Sequence, residues 1–256
     1  MKQKLLSWNV NGLRAVHRKG IVSWIQSEDP DILCLQETKA RKEQLPEDLQ
    51  ELSGYHSFFS FGERAGYSGV ATYTKEKPLE TLYGFGRGKV ESEGRVLVHV
   101  FKNYTLFNIY FPNGKRSPDR LAYKMDFYMR FLKYAQARRK KGEHIIFCGD
   151  INTAHKEIDL ARPRANEKIS GFLPKERAWI DEVVKQGYHD TLRMYHAGPE
   201  LYSWWDMQSR ARDRNVGWRI DYFFVSDGIQ GKIKDAFILS DVMGSDHAPV
   251  GISIDI

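Results

Sequence analysis

Nearly continuous apolar runs recur along the whole chain and are its main structural signal. Runs that do not alternate with polar residues are typical of strands buried on both faces. We predict strands over residues 4–10, 31–36, 70–73, 95–101, 105–110, 144–148, 220–225, 236–239 and 249–254. Because both faces of such sheets must be covered, the pattern predicts two packed β-sheets with helices outside them.

Helical spacing of apolar residues predicts three helices, over residues 20–27, 117–141 and 174–186. The longest opens with Ser117 followed by Pro118, which suits an N-cap and a first helical position. No linker, low-complexity tract or break in composition divides the chain, so we predict one catalytic domain over residues 1–256. The longest irregular stretch, residues 152–171, is dense in charged residues, and long loops on compact domains are often functional.

Composition narrows the class of protein further. Hydrophobic residues make up 41% and charged residues 28% of the 256 residues, which excludes disordered and fibrous chains. No apolar run approaches the roughly 18 residues of a membrane helix, and the start does not resemble a signal peptide. Cys34 and Cys148 lie inside apolar runs, which indicates buried thiols in a reducing compartment. We therefore expect a cytoplasmic protein.

The basic residues are clustered rather than evenly spread. A net charge of +6 is modest for a nucleic-acid-binding protein. The densest cluster has arginines close to tryptophans; its members are Arg210, Arg212, Arg214 and Arg219, with Trp204, Trp205 and Trp218. Arginines interleaved with aromatic residues favour phosphate contact combined with stacking on bases.

Polar side chains stand where several of the predicted strands begin or end. They are Asn9, Gln36, Glu37, Tyr110, Asp150, Asn152, Asp221, Asp246 and His247. Strand ends converge on one rim in folds of this kind, and sites collect there. A single Asp or Asn after a strand is usually a turn residue. A set of metal-ligand and acid–base types at so many strand ends instead indicates a catalytic rim.

Each residue type suggests its own chemistry. Glu37 suits a hard divalent cation such as Mg²⁺, although it could simply pair with Lys39 at the surface. Asp150 and Asn152 would point the same way in an extended chain. An imidazole at His247 could be oriented by a carboxylate, and Asp221 offers one. The sequence has no two cysteines close together and no Gly-rich nucleotide loop, which disfavours zinc, redox and P-loop chemistry.

Six segments, taken in order, resemble the exonuclease III family of apurinic/apyrimidinic (AP) endonucleases of bacterial and archaeal type. They are residues 7–14 (SWNVNGLR), 33–39 (LCLQETK), 66–70 (GYSGV), 148–155 (CGDINTAH), 215–222 (NVGWRIDY) and 244–247 (GSDH). The resemblance implies an α/β (α+β) fold, the four-layer αββα sandwich of the endonuclease/exonuclease/phosphatase type. It also implies Mg²⁺-dependent base excision repair of double-stranded DNA, with Mn²⁺ as a substitute metal. The expected cut lies 5′ to an abasic site and leaves a 3′-hydroxyl and a 5′-deoxyribose phosphate.

The resemblance also assigns roles residue by residue. Glu37, with Asn9 nearby, would hold Mg²⁺, and Asp246 would sit beside the metal. Asp150 would orient or deprotonate the attacking water, while Asn152 and Tyr110 would contact the phosphate or the nucleophile. His247, oriented by Asp221, would stabilise charge on the phosphoryl oxygens. DNA contacts would come from Arg14, Lys19, Tyr67, Asn113, Arg116, Asn166 and Gln208, and from the pocket walls Trp204, Trp218 and Ile220.

The chain departs from the family pattern at three places. Asn11 stands where many members carry Asp, which places a second metal site in doubt, and a frequent Asn is absent around Ile169 and Ser170. Trp204-Trp205 replaces the usual Phe-Trp, and a larger indole could narrow the pocket or stack on a base. We therefore also expect nicking at deoxyuridine, beside 3′→5′ exonuclease and 3′-end-trimming activity.

Two other functions stay open on the sequence alone. One is a different phosphoesterase of the same fold, such as a less specific nuclease, an inositol-phosphate phosphatase or a sphingomyelinase. The other is a DNA-binding module without catalysis. Four acids facing a polyanion would weaken DNA binding unless a cation joined them, which disfavours the second alternative. We expect a monomer that acts on DNA in the nucleoid of a prokaryote and has no membrane partner.

Overall fold

The apolar runs form two six-stranded sheets in the computed structural model, which describes residues 2–85 and 92–256. The first sheet has the order β13-β14-β1-β2-β4-β3. Its strands are β1 (Lys2–Asn9), β2 (Ile32–Gln36), β3 (His56–Ser60), β4 (Val70–Thr74), β13 (Ile233–Ile238) and β14 (Val250–Asp255). Only β1 and β2 run parallel in it.

The second sheet repeats this plan, with the order β5-β6-β7-β8-β12-β9. Its strands are β5 (Glu80–Tyr83), β6 (Val96–Val100), β7 (Thr105–Ile109), β8 (Ile145–Asp150), β9 (Tyr188–Asp190) and β12 (Asp221–Ser226). Here β7 and β8 form the parallel pair. Two further short strands, β10 (Trp204–Trp205) and β11 (Gly217–Trp218), pair with each other.

Three apolar layers hold the sheets and helices together. Between the sheets lie Leu5, Cys34, Leu106, Ile146 and Ile252. The outer face of the first sheet is covered by helices Leu13–His17, Ile21–Glu28 and Glu47–Gln50. The outer face of the second is covered by helices Pro118–Arg139 and Pro174–Lys185. Shorter helices are Pro163–Asn166, Thr191–Tyr195 and Asp227–Gln230. The predicted αββα sandwich is confirmed.

Solvent exposure explains why two of the observed strands were not predicted. β3 and β5 were not predicted, because they are edge strands whose residues are only half-buried or exposed and carry no continuous apolar run. The predicted start of the longest helix is confirmed, since Ser117 Oγ accepts a hydrogen bond from the Arg120 amide at 3.2 Å. Among the described residues, none of the helices combines the length and apolarity that crossing a bilayer requires.

The strand directions bring distant segments to one edge of the sandwich. The carboxyl ends of the parallel pair β1 and β2 lead to Asn9 and Glu37, and β8 ends at Asp150. β12 runs antiparallel to β8, so its first residue, Asp221, lies opposite Asp150. β14 runs antiparallel to β1, which brings the preceding residue His247 to the same edge. The Asn9 side chain bonds Asp150 across the two sheets at 2.9 Å.

Candidate active site

Three groups able to bind a metal meet at this edge. One ligand atom each from Glu37, Asp150 and His247 lies within 4.8 Å of the other two. They line a cavity of about 200 Å³ together with Asn113, Asn152 and other residues discussed below. The three lie far apart in sequence, so only the strand order described above brings them together.

Asn9 holds two of these carboxylates in place. Its amide nitrogen donates to Glu37 Oε1 and to Asp150 Oδ2, both at 2.9 Å. Its amide oxygen accepts the Asn11 N–H at 3.0 Å. In this arrangement Asn9, which is fully buried, orients the acids through its nitrogen.

Asp150 and Asn152 interact, but not in the way an extended chain would allow. Asn152 has a left-handed backbone with φ of 57°, so the prediction of an extended segment here is wrong. This turn lets the Asn152 amide donate to Asp150 Oδ1 at 2.7 Å and its side chain to Oδ2 at 3.0 Å. Burial and the charge of Asp221 raise the pKa of Asp150 to about 8.

His247 is held by a carboxylate behind it. Its Nδ1 lies 2.8 Å from Asp221 Oδ2, which also accepts from Ser203 Oγ at 2.7 Å. This contact leaves Nε2 as the free ring nitrogen on the other side of the imidazole. Burial alone would lower the pKa of His247, but Asp221, Asp150 and Asp246 outweigh it and raise that pKa to about 10. The surrounding carboxylates therefore favour the charged, imidazolium form of the ring.

Glu37 combines the two alternatives that its sequence context offered. It lies in the acidic cavity, and its Oε2 also pairs with Lys39 Nζ at 2.7 Å. Burial would raise the pKa of Glu37, but Lys39 and the Asn9 hydrogen bond bring it below its ordinary value. Lys39 also bonds Asn11, whose amide donates to Asp246 Oδ1 at 2.9 Å. Asp246 is thus tied to the rim of the cavity.

Tyr110 lines a larger basic pocket of about 560 Å³, which shares the residues Asn113 and Lys115 with the acidic cavity. Burial and the Glu37 carboxylate raise the pKa of Tyr110 well above its ordinary value, so the phenol stays protonated. The buried Arg95 guanidinium lies 4.5 Å from the Tyr110 ring centroid and donates to Tyr67 Oη at 2.9 Å. The pocket is lined by Glu63, Arg64, Tyr67, Ser92, Glu93, Arg95, Tyr110, Asn113, Lys115, Arg116 and Arg120. The predicted DNA-contact residues Tyr67, Asn113 and Arg116 therefore lie together beside the cavity.

The walls of the acidic cavity include the predicted Trp204, Trp218 and Ile220. The two indoles meet edge to face with centroids 6.4 Å apart. Sequence reasoning missed two lining residues, Lys115 and Gly171. The Lys115 ammonium lies 5.1 Å from the Trp204 ring and 5.3 Å from the Trp218 ring. Its place after Asn113, next to Arg116, was the signal that could have identified it.

Four predicted DNA-contact residues line neither the acidic cavity nor the basic pocket. Lys19 Nζ donates to Gly244 O at 2.7 Å, just before the segment that carries Asp246 and His247. Asn166 bonds its own helix at Arg162 O. Arg14 and Gln208 are exposed at the surface. Their contacts with DNA stay predictions.

Two of the four clustered arginines, Arg212 and Arg219, have structural roles, which corrects the interpretation of the whole cluster as a DNA-stacking surface, whereas Arg210 and Arg214 are exposed. Arg219 is buried and pairs with Asp159 and Asp190 at 2.8 and 2.7 Å. Arg212 donates to the carbonyls of Ser240, Val242 and Ser245 at 2.6, 2.8 and 3.3 Å. Its guanidinium also lies 4.6 Å from the ring of Trp205, which is buried and cannot stack on a base. The three hydrogen bonds of Arg212 hold the loop that carries Asp246 and His247.

Comparisons with known proteins agree with this geometry. Residues 6–247 match the model of the Endonuclease/Exonuclease/phosphatase family, and the chain belongs to that family. It is 45% identical over 257 residues to the exodeoxyribonuclease of Bacillus subtilis, covering 99% of this chain and all of that protein. It is 40% identical to the DNA repair nuclease APEX1 of Danio rerio, covering 96% of this chain and 80% of that one.

A solved structure extends the likeness to three dimensions. The AP endonuclease LMAP of Leishmania major superposes with a TM-score of 0.91 at 29% identity, over all of this chain and 88% of that one. The chain is therefore a hydrolytic nuclease of the AP endonuclease and exodeoxyribonuclease type. The predicted resemblance and enzyme class are confirmed.

Proposed function

We propose that this single catalytic domain hydrolyses the phosphodiester 5′ to an abasic site in double-stranded DNA, leaving a 3′-hydroxyl and a 5′-deoxyribose phosphate. The observation that carries the proposal is the meeting of Glu37, Asp150 and His247 within 4.8 Å in a cavity walled by Trp204 and Trp218. A nucleotide without a base leaves the helix at little stacking cost, so a small pocket selects it.

The donor set fits Mg²⁺, with Mn²⁺ as a substitute. Carboxylate oxygens of Glu37 and Asp150 are the ligands that hard divalent cations prefer, and Asp246 lies on the same rim. Burial and the charges of Asp221 and Glu37 raise the pKa of Asp150, and a bound cation would offset this by favouring the ionised carboxylate. When bound, Mg²⁺ would supply Lewis acidity at a phosphoryl oxygen and at the leaving alkoxide.

The protein groups divide the remaining work. Asp150, ionised, would orient the attacking water and take its proton, because Asn9 and Asn152 fix both of its oxygens. The imidazolium of His247 would stabilise charge on the phosphoryl oxygens. Asn152 and the protonated phenol of Tyr110 would add neutral donors. Asp221 would act through His247 by fixing its ring.

The basic pocket would bind the DNA backbone next to the cavity. Arg64, Tyr67 and Arg116 line the basic pocket, and Asn113 and Lys115 line both this pocket and the acidic cavity. Backbone contacts of this kind release counterions, so affinity should fall steeply as salt rises. Lys19 and Arg14 would extend the contact on the far side of the active-site edge.

A product analysis tests the reaction. Duplexes with one abasic site and matched intact duplexes are incubated with Mg²⁺, and the new ends are identified by mass. We expect a 3′-hydroxyl and a 5′-sugar phosphate on the abasic duplex alone. An unsaturated 3′ end would indicate a lyase and overturn the proposal. Equal cleavage of the intact duplex would favour the alternative, a less specific nuclease. Cleavage that persists in EDTA would overturn the metal requirement.

Two further activities of the same site are proposed. Removal of nucleotides or blocking groups from 3′ ends uses the same phosphodiester chemistry, and the relative from Bacillus subtilis is named an exodeoxyribonuclease. Nicking at deoxyuridine needs room for a base between Trp204 and Trp218, where Lys115 now lies over both rings. A single-turnover assay on a uracil-containing duplex free of glycosylase tests it; a nick no stronger than on the thymine duplex would remove the idea. We expect a monomer acting on nucleoid DNA.

A further inference from the structure

A fully buried ion pair joins two helices beneath the active site. Lys124 of helix Pro118–Arg139 lies 2.5 Å from Glu176 in helix Pro174–Lys185, and neither side chain is exposed. Taking two charges out of water costs about as much as their attraction returns, and apolar replacements of such pairs are often neutral or stabilising. Stability alone therefore does not explain this pair.

The hydrogen bonds of the pair all lead to the two ends of one segment. Lys124 Nζ donates to Asn152 O at 2.7 Å and to Thr153 Oγ1 at 2.8 Å. Glu176 Oε2 accepts the amides of Gly171 and Leu173 at 2.7 and 3.0 Å. Residues 152–173 contain only short helical turns, and one ion pair fastens their beginning and their end.

Both fastened ends belong to the catalytic cavity. Asn152 has the left-handed backbone that lets its side chain reach Asp150, a conformation that a non-glycine residue keeps only when its surroundings enforce it. Gly171 lines the cavity with φ of 103°, and the Ala154 amide bonds its carbonyl at 2.9 Å. A Cβ atom on Gly171 would stand 3.3 Å from Asn152 O and 3.2 Å from the Trp218 ring.

We propose that Lys124 and Glu176 are positioning residues, which close segment 152–173 on itself so that Asn152 and the Gly171 wall keep their places around the reacting phosphate. This inference rests on the proposed phosphodiester hydrolysis. It predicts that the pair matters for turnover far more than for stability or for binding of DNA.

The pair is tested by replacing both charges at once. In Lys124→Met with Glu176→Leu, no lone charge is left buried, so the protein should stay folded and its unfolding temperature should fall only by what the lost hydrogen bonds to segment 152–173 contribute. We expect kcat on the abasic duplex to fall about 10- to 100-fold, since small displacements of reacting groups cost this much. KM should change less than about threefold, because the basic pocket is untouched.

The chain offers a matched control. Lys156 and Asp181 also join this segment to helix Pro174–Lys185, but their side chains are 52% and 54% exposed. Lys156→Ala with Asp181→Ala should leave kcat and KM as in the parent. A folded Lys124→Met/Glu176→Leu protein with the parent kcat would overturn the proposal.

Amide hydrogen exchange reads the same contacts without turnover. In the parent, the amides of Gly171 and Leu173 should be as protected as those of β8, and in the double variant they should exchange at least about tenfold faster. Parent amides that exchange like exposed ones would overturn the proposal even if the variant failed to fold.

The kinetic comparison is repeated on a recessed 3′ end. A parent that degrades this end and ignores the abasic duplex overturns the proposed substrate, while the variant-to-parent ratio still decides the positioning role.

Discussion

Two buried histidines, one at the edge that holds the acidic cavity and one between the two sheets, have pKa values shifted in opposite directions. His247 faces the carboxylates of Asp221, Asp150 and Asp246, and its pKa rises to about 10. His99 in β6 packs against Phe58 and Phe101, and burial alone lowers its pKa to about 3. Its Nδ1 bonds Thr81 Oγ1 at 3.0 Å, and among the described residues its Nε2 has no partner.

The comparison shows that burial does not make a histidine functional. Both rings are nearly inaccessible to solvent, at 4% and 0% exposure. Desolvation opposes the charge in both, and only the carboxylates around His247 reverse its effect. At the edge that holds the acidic cavity, the fold thus concentrates negative charge around one imidazole, and carboxylates gathered in this way are the ligands that a hard divalent cation prefers.

The largest loss of kcat is expected from replacing Asp150, which we propose takes the proton of the attacking water and whose charge also acts on the His247 ring. Asp150→Asn keeps the shape of the side chain but abolishes its basicity, so kcat on an abasic duplex should fall about 100- to 10,000-fold. DNA affinity should change little, since the basic pocket is intact. Single-turnover rates and fluorescence-anisotropy titrations measure the two. A variant that lost affinity and kept its rate would show that Asp150 binds DNA instead.

The same substitution at the two histidines compares the two regions directly. His247→Gln removes a charge that the acids hold in place, and kcat should fall about 100- to 1,000-fold. His99→Gln changes a ring that is neutral already, so kcat and KM should match the parent. Steady-state rates at pH 7.5 decide the matter. Equal losses in both variants would mean that the substitutions act through the fold and not through charge.

The sequence predicted which strands meet at the acidic edge of the sandwich better than it predicted how the side chains there are arranged. Continuous apolar runs located β1, β2, β8 and β12, and the polar residues at their ends do meet at one edge of the sandwich. The half-exposed edge strand β3 has no such run, so it was missed. Nothing local marks Lys124 as buried or Arg219 as inward-facing, because a long charged side chain on an element has the same sequence signature whether it meets solvent or a partner from elsewhere in the chain.

A smaller loss of kcat is expected from changing Asp221, which contacts Nδ1 of the His247 ring. Asp221→Asn keeps an oxygen near Nδ1 but removes the charge that holds the ring and its proton. Outer partners of this kind typically contribute 10- to 100-fold, so kcat should fall by about that factor with KM unchanged. A parallel variant, Ser203→Ala, removes the hydroxyl that donates to the same carboxylate and accepts the Ile220 and Asp221 amides at 3.1 Å; it leaves the charge in place and should cost less in kcat. If Ser203→Ala were the more damaging of the two, Asp221 would act as a structural anchor and not through His247.

The His99→Gln substitution should leave the rate unchanged, but it should change how the stability of the protein depends on pH. Folded His99 stays neutral down to pH about 3, whereas in the unfolded chain it binds a proton below about 6.5. Its contribution is therefore fully present above pH 6.5 and is lost as the pH falls towards 3, by on the order of 5 kcal/mol at most. His99→Gln cannot bind that proton, so its free energy of unfolding should decline less than that of the parent between pH 7 and pH 4.5. Urea denaturation at both pH values measures the difference. Parallel declines in the two proteins would mean that His99 is protonated in the folded state, and the contrast with His247 would then lie in catalysis alone.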